Sequence, residues 1–235
     1  MTNHTLLASV QVETAPQPTA AVIWLHGLGA DGNDFAPLAR ELDLAGCGGV
    51  RFVFPHAPHL PVTINGGLSM PAWYDLRGTG FVQREDAEGI RQSGRAIEAL
   101  IAHEIARGIA PGRIVLGGFS QGCAMALHTA LRYPARLAGV MALSGYLPLA
   151  AMLTDERHTA NADTPIFMAH GTQDPVVLLA YAEASRAALL AQGHPVQWHT
   201  YPMPHSVHPQ EIKDIAAFLR SVLTSSAPLA SAPAA

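Results

Sequence analysis

Cysteine is scarce: Cys47 and Cys123 are the only two in 235 residues. Two thiols cannot build a disulfide framework. A single bridge is conceivable, but reduced thiols fit better and point to a reducing compartment. Charge is scarce too, at 14% of residues, and the 14 lysines and arginines form no basic block within a net charge of -4. That excludes the electrostatic footprint of a nucleic-acid binder. No run approaches the ~18 consecutive apolar residues of a membrane-spanning helix, so no stable membrane insertion is expected. Residues 1–10 carry neither a basic n-region nor an apolar h-region, and no secretory signal is predicted. No internal repeat is present. These absences predict a cytoplasmic protein, with monomer and homodimer equally open.

What is there is apolar: 49% of residues are hydrophobic, and a chain of this length buries about 70% of its unfolded surface. Strands are predicted at 20–26, 50–54, 113–118, 137–144 and 165–170. Each is apolar nearly throughout, as in parallel strands covered on both faces. Residues 196–201 read as a last strand nearer an edge, and 6–13 as a weaker candidate. Helices are predicted at 85–107, where Ile90, Ile97, Leu100, Ile101 and Ile105 fall at three- and four-residue steps, and at 120–133, apolar almost all round. Two more are predicted at 175–192, with proline in its first turn and Gly193 after its end, and at 209–223. One domain therefore covers 1–223, and the small-residue, proline-rich stretch 224–235 is expected to be disordered. Alternating strands and helices imply an α/β fold with a mostly parallel sheet and helices on both faces. Such sheets place ligands at the carboxyl ends of their strands.

The informative motifs fall there. Gly118-Phe119-Ser120-Gln121-Gly122 follows one predicted strand and opens the buried helix. This is G-x-S-x-G in strand–turn–helix context, a nucleophile elbow. So sharp a turn strains the serine backbone, and side chains at 118 and 122 would collide with the neighbouring strand and helix. A serine needs a base, and the base an orienting carboxylate, in the chain order Ser, acid, His. Asp174 follows the strand 165–170; it suits the acid, although a helix N-cap is its bland alternative. After the last strand come His205 and His208. His205 is favoured because it lies in the loop itself, whereas His208 abuts the closing helix. A metal-binding H-x-x-H pair lacks a nearby carboxylate or cysteine partner, so no metal is predicted. The oxyanion donors are the amide of Gln121 and one from the loop His26-Gly27-Leu28-Gly29; His26 itself reads as a structural histidine.

Gly27-Leu28-Gly29-Ala30-Asp31-Gly32 also spells G-x-G-x-x-G after a strand and before a helix, so a dinucleotide-binding oxidoreductase is a rival reading. That fingerprint calls for an acidic residue at the end of the next strand. Pro55-His56-Ala57-Pro58 stands there instead. A hydrolase fold turned inactive binding module is a second rival, but no elbow or triad residue is missing.

The chain resembles the bacterial carboxylesterase and acyl-protein thioesterase family of α/β-hydrolases, also known as phospholipase/carboxylesterase. The resemblance runs through residues 25–32 (LHGLGADG), Pro55-His56-Ala57-Pro58, Trp73-Tyr74-Asp75, the elbow, residues 171–177 (GTQDPVV) and His205-Ser206-Val207. It implies a single-domain α/β-hydrolase with a Ser120–Asp174–His205 triad and an oxyanion hole of the Leu28 and Gln121 amides. Two positions depart from the family pattern: Cys123 where a second glycine is usual, and His208 where cysteine is common.

The expected reaction is hydrolysis of a carboxylic ester or acyl thioester, with short- to medium-chain substrates, through an acyl-serine. It needs no metal or organic cofactor. Lipids and acylated proteins are within the substrate range, and a lysophospholipase or acyl-protein thioesterase with long-chain preference is the alternative. The interval 145–164 is too short for a separate cap domain. The cover over Ser120 is therefore expected from the connection 55–84, with Leu68, Met70, Trp73 and Phe81 as an acyl-binding wall.

Overall fold

The computed structural model describes residues 6–78 and 85–224. The apolar runs become strands much where their composition puts them. In chain order these are β1 (Ser9–Glu13), β2 (Ala20–Leu25), β3 (Val50–Pro55), the hairpin β4 (His59–Val62) and β5 (Leu68–Pro71), then β6 (Ile114–Phe119), β7 (Gly139–Leu143), β8 (Ile166–Gly171) and β9 (Val196–Tyr201). The helices are α1 (Ala87–Ala106), α2 (Gln121–Arg132), the single turn α3 (Leu153–Glu156), α4 (Leu179–Ala191) and α5 (Pro209–Leu223).

Seven strands form one sheet in the order β1-β3-β2-β6-β7-β8-β9, in which only β1 runs antiparallel. β9 is an edge strand, as its mixed composition suggested. Successive side chains of β2 go to opposite faces, as the two-residue period of a strand requires. Ala21, Ile23 and Leu25 join a core under α1 and α2 with Ile90, Ile97, Met125 and Leu127. Ala20, Val22 and Trp24 join a second core under α5 with Phe167, Ile215 and Phe218. α2 is buried from Gln121 to Leu131 because it lies between the sheet and α1, which explains why its apolar residues show no face. Among the described residues no helix is long and apolar enough to cross a membrane.

Three expectations need correction. α4 starts at Leu179 and not at Pro175, because the Asp174 carboxylate takes the amides of Val176 and Val177 and holds residues 174–177 in a turn that competes with the helix. No α-helix follows Gly27–Gly32; the next element is a short 3₁₀ turn, Ala36–Arg40, so the glycine-rich loop has no helix end to offer a pyrophosphate. α1 starts at Ala87, capped by Asp86, which accepts from Gly89. The tail expected to be disordered lies, from 225 onward, outside the described residues.

Candidate active site

β6 ends at Phe119 and α2 starts at Gln121, which leaves Ser120 alone to make the turn. Its φ of 56° and ψ of -118° lie in a region a non-glycine residue enters only at about 1–3 kcal/mol. Packing enforces that conformation. A Cβ on Gly118 would lie 2.2 Å from the Gly122 carbonyl oxygen, and one on Gly122 would lie 2.3 Å from that of Leu25. The Ser120 amide donates to Leu143 O at 2.9 Å, tying the elbow to β7. Behind it, Cys123 faces Gly145, where an added Cβ would sit 2.6 Å from the thiol sulfur. The glycine there makes room for the cysteine that departs from the family pattern. Both cysteines are unpaired and buried.

The Gln121 side chain had no role in the sequence reading. Its Oε1 accepts from the Trp73 amide at 2.8 Å and its Nε2 donates to Tyr74 O at 2.7 Å. Trp73 in turn donates its indole N–H to His26 O at 2.9 Å. His26 is the buried structural histidine expected: Nδ1–H donates to Gly27 O and Nε2 accepts from the Ala57 amide. Burial lowers its pKa and keeps it neutral. This chain of bonds fixes residues 26–27 against the elbow, where a Cβ on Gly27 would lie 3.3 Å from that of Ser120. Leu28 and Gln121 line the same cavity as Ser120.

Asp174 and His205 meet at the carboxyl ends of β8 and β9. His205 Nδ1–H donates to Asp174 Oδ2 at 2.6 Å, while Oδ1 accepts from the amides of Val176 and Val177 at 2.8 and 2.9 Å. The Asp174 side chain is fully buried and that of His205 is 16% exposed, the gradient wanted between an orienting carboxylate and a group that meets substrate. Gly171 lets the loop after β9 cross over β8, since a Cβ there would lie 2.4 Å from Met203 O. The Phe119 ring packs at 4.7 Å from His205. His208 stays apart from this pair. It is the N-cap of α5, accepting from the Gln210 amide, and Glu211 closes a capping box on its backbone N–H. That gives the second histidine a structural role.

Ser120 and His205 open on a cavity of about 530 Å³. Its deep end is made by Tyr74 and Tyr146, 1% and 3% exposed, with hydroxyls 2.9 Å apart. Burial pushes both phenols up. Its rim carries Ile64, Val176 and Leu178, 40%, 53% and 53% exposed. The connection 55–84 does supply one wall, but through Ile64, Asn65, Tyr74 and Leu76 in place of the residues expected. Trp73 is consumed in the core by its bond to His26 O. Leu68 is 63% exposed on the β4–β5 hairpin, and Met70 faces Asn65 and Gly29. Phe81 lies outside the described residues. The opposite wall, Pro175–Leu178 with Tyr181, went unrecognised. Its signal was the apolar run Val176-Val177-Leu178 directly after the acid, which the helix assignment absorbed.

A profile of the Phospholipase/Carboxylesterase family matches residues 7–223. Acyl-protein thioesterase 1 of Yarrowia lipolytica is 40% identical over 216 residues, 90% of this chain and 95% of the relative. Acyl-protein thioesterase 1 of Gibberella zeae is 39% identical over 231 residues, 92% and 96% of the two chains. Among solved structures, acyl-protein thioesterase 2 of Zea mays superposes with a TM-score of 0.80 at 28% identity, covering 92% of this chain and 100% of the maize protein.

Proposed function

The chain belongs to the phospholipase/carboxylesterase family, and on that premise we propose that Ser120, Asp174 and His205 are its catalytic triad, with the amides of Leu28 and Gln121 as the oxyanion hole. It is a serine hydrolase of ester or thioester bonds, built on a single-domain α/β-hydrolase fold without a separate cap domain. The observation that carries the residue assignment is the buried Asp174 bonded at 2.6 Å to His205, beside a cavity that His205 shares with a serine in a strained elbow.

His205 Nε2 takes the Ser120 hydroxyl proton as Oγ bonds to the substrate carbonyl carbon. The carbonyl electron pair moves to oxygen, where two amides meet it; one such donor is worth about 10²–10³ in kcat. The tetrahedral adduct collapses, the bond to the alcohol or thiol breaks, and His205 returns the proton to that leaving group. Water then repeats the sequence on the acyl-serine: His205 takes a water proton, the adduct collapses again, and Ser120 recovers its proton as the acid departs. Asp174 holds the imidazole in the Nδ1–H tautomer and stabilises its charged form.

The substrates are acyl groups of short to medium length, supported by a cavity closed at depth by Tyr74 and Tyr146. Each buried methylene contributes about 0.8 kcal/mol, roughly fourfold in kcat/KM. Measured over acyl chains from acetyl to palmitoyl, kcat/KM is expected to climb to about hexanoyl and then level. A steady climb to palmitoyl sinks that chain-length reading. It would favour long-chain acyl-protein substrates, a second reading supported by the names of the relatives and by the exposed apolar rim.

A further inference from the structure

His170 is the last histidine before the acid and takes no part in the proton transfers above. It sits in β8, fully buried. Its Nε2–H donates to Val177 O at 2.7 Å, and the same nitrogen lies 3.5 Å from Asp174 Oδ2. Val177 is thus held at both of its backbone polar groups: its N–H by the Asp174 carboxylate and its C=O by the His170 ring. The other nitrogen, Nδ1, is buried with no hydrogen-bond partner. A buried polar atom left without a partner is unfavourable, so an apolar residue would pack there at less cost. What the imidazole supplies that an apolar side chain does not is the Nε2–H.

We propose that His170 is a positioning residue for the hydrolysis. Through Val177 O it closes the turn 174–177 and so sets both the carboxylate that orients His205 and the apolar wall formed by Val176, Val177 and Leu178. The proposal rests on the triad reading above. The groups that face the ring are Asp174 on its own turn, His205 from the loop after β9 and Glu183 from α4. Burial lowers the histidine's pKa, so the ring donates as a neutral group and brings no second positive charge to the Asp174–His205 pair.

Two amides of different reach separate positioning from packing. His170→Gln can place an N–H where Nε2–H stands; His170→Asn can reach only as far as Nδ1, and His170→Leu supplies no donor. The assay is kcat and KM on a short-chain ester, with the rate of fluorophosphonate labelling of Ser120 and a thermal melt for each variant. A triad displaced by ~1 Å loses on the order of 10²-fold in rate. The Asn and Leu variants are therefore expected to lose about 10- to 100-fold in kcat and in labelling rate while folded, and the Gln variant to recover most of it. Asn and Leu variants that melt lower but turn over at the wild-type rate would show a packing role only and overturn the proposal. So would a Gln variant as slow as Asn, or an Asn variant unable to fold, since the ring is proposed to hold a turn and not the sheet. Failure of the triad reading looks different: the wild type itself would not label at Ser120.

Discussion

Gly122→Ala adds one methyl group where the start of α2 meets the backbone of β2. The new Cβ would lie 2.3 Å from Leu25 O, and 2.6 Å from both His26 O and Leu25 C. All three are backbone atoms of β2 or the residue after it, so no side chain can swing aside. Opening the 2.3 Å approach to an ordinary 3.4 Å contact displaces the start of α2 from β2 by about 1.1 Å. Two consequences follow from that one displacement. Overpacking of this kind costs about 1–3 kcal/mol, and with a rigid neighbour the upper half of that range is expected in urea unfolding. The shift also carries Ser120 and the Gln121 amide away from residues 26–28, and ~1 Å of misplacement reduces kcat on the order of 10²-fold. The assay is kcat on a short-chain ester, normalised to the folded fraction, alongside the unfolding curve. A variant with wild-type stability and wild-type turnover would refute the packing account of the elbow.

His208→Ala removes the acceptor for the Gln210 amide at the start of α5; it should destabilise by ~1 kcal/mol in thermal or urea unfolding and leave kcat/KM close to wild type. A loss as severe as that of His205→Ala would reassign the base. Glu211, fully buried, has its carboxyl pushed up by burial from 4.5 to about 7. A carboxylate raised on folding stabilises fully below 4.5 and loses that contribution as pH rises through about 7. Glu211→Gln should therefore melt progressively higher than wild type across that window, and a melting difference independent of pH would contradict the assignment.

The strands were legible because a sheet covered on both faces admits little but apolar residues, and β2, β6 and β8 are buried along almost their whole length. The elbow was legible for a related reason: backbone contacts at Gly118 and Gly122 leave glycine as the residue that fits. The start of α4 was not, because Pro175 is a sound helix-start signal and only the structure shows that Asp174 has already claimed the next two amides. Trp73 reads as part of an acyl-binding wall within a glycine- and proline-rich stretch, yet its indole N–H spans 47 residues to His26 O. Gln121 is of the same kind: its side-chain bonds cross 47 and 48 residues, a separation that no local pattern encodes. His208 reads as abutting the closing helix but not as its cap: the glutamate three residues on signals a capping box that histidine heads here in place of the usual serine or threonine.

The central claim is that Ser120 is the nucleophile. Labelling with a fluorophosphonate probe, followed by intact-mass and peptide mapping, tests it most directly. The account predicts a single covalent adduct on Ser120, loss of activity in step with labelling, and neither labelling nor turnover in Ser120→Ala, whose kcat should fall on the order of 10⁶-fold. An adduct on another residue, or a Ser120→Ala protein that keeps a substantial share of wild-type turnover, would contradict it.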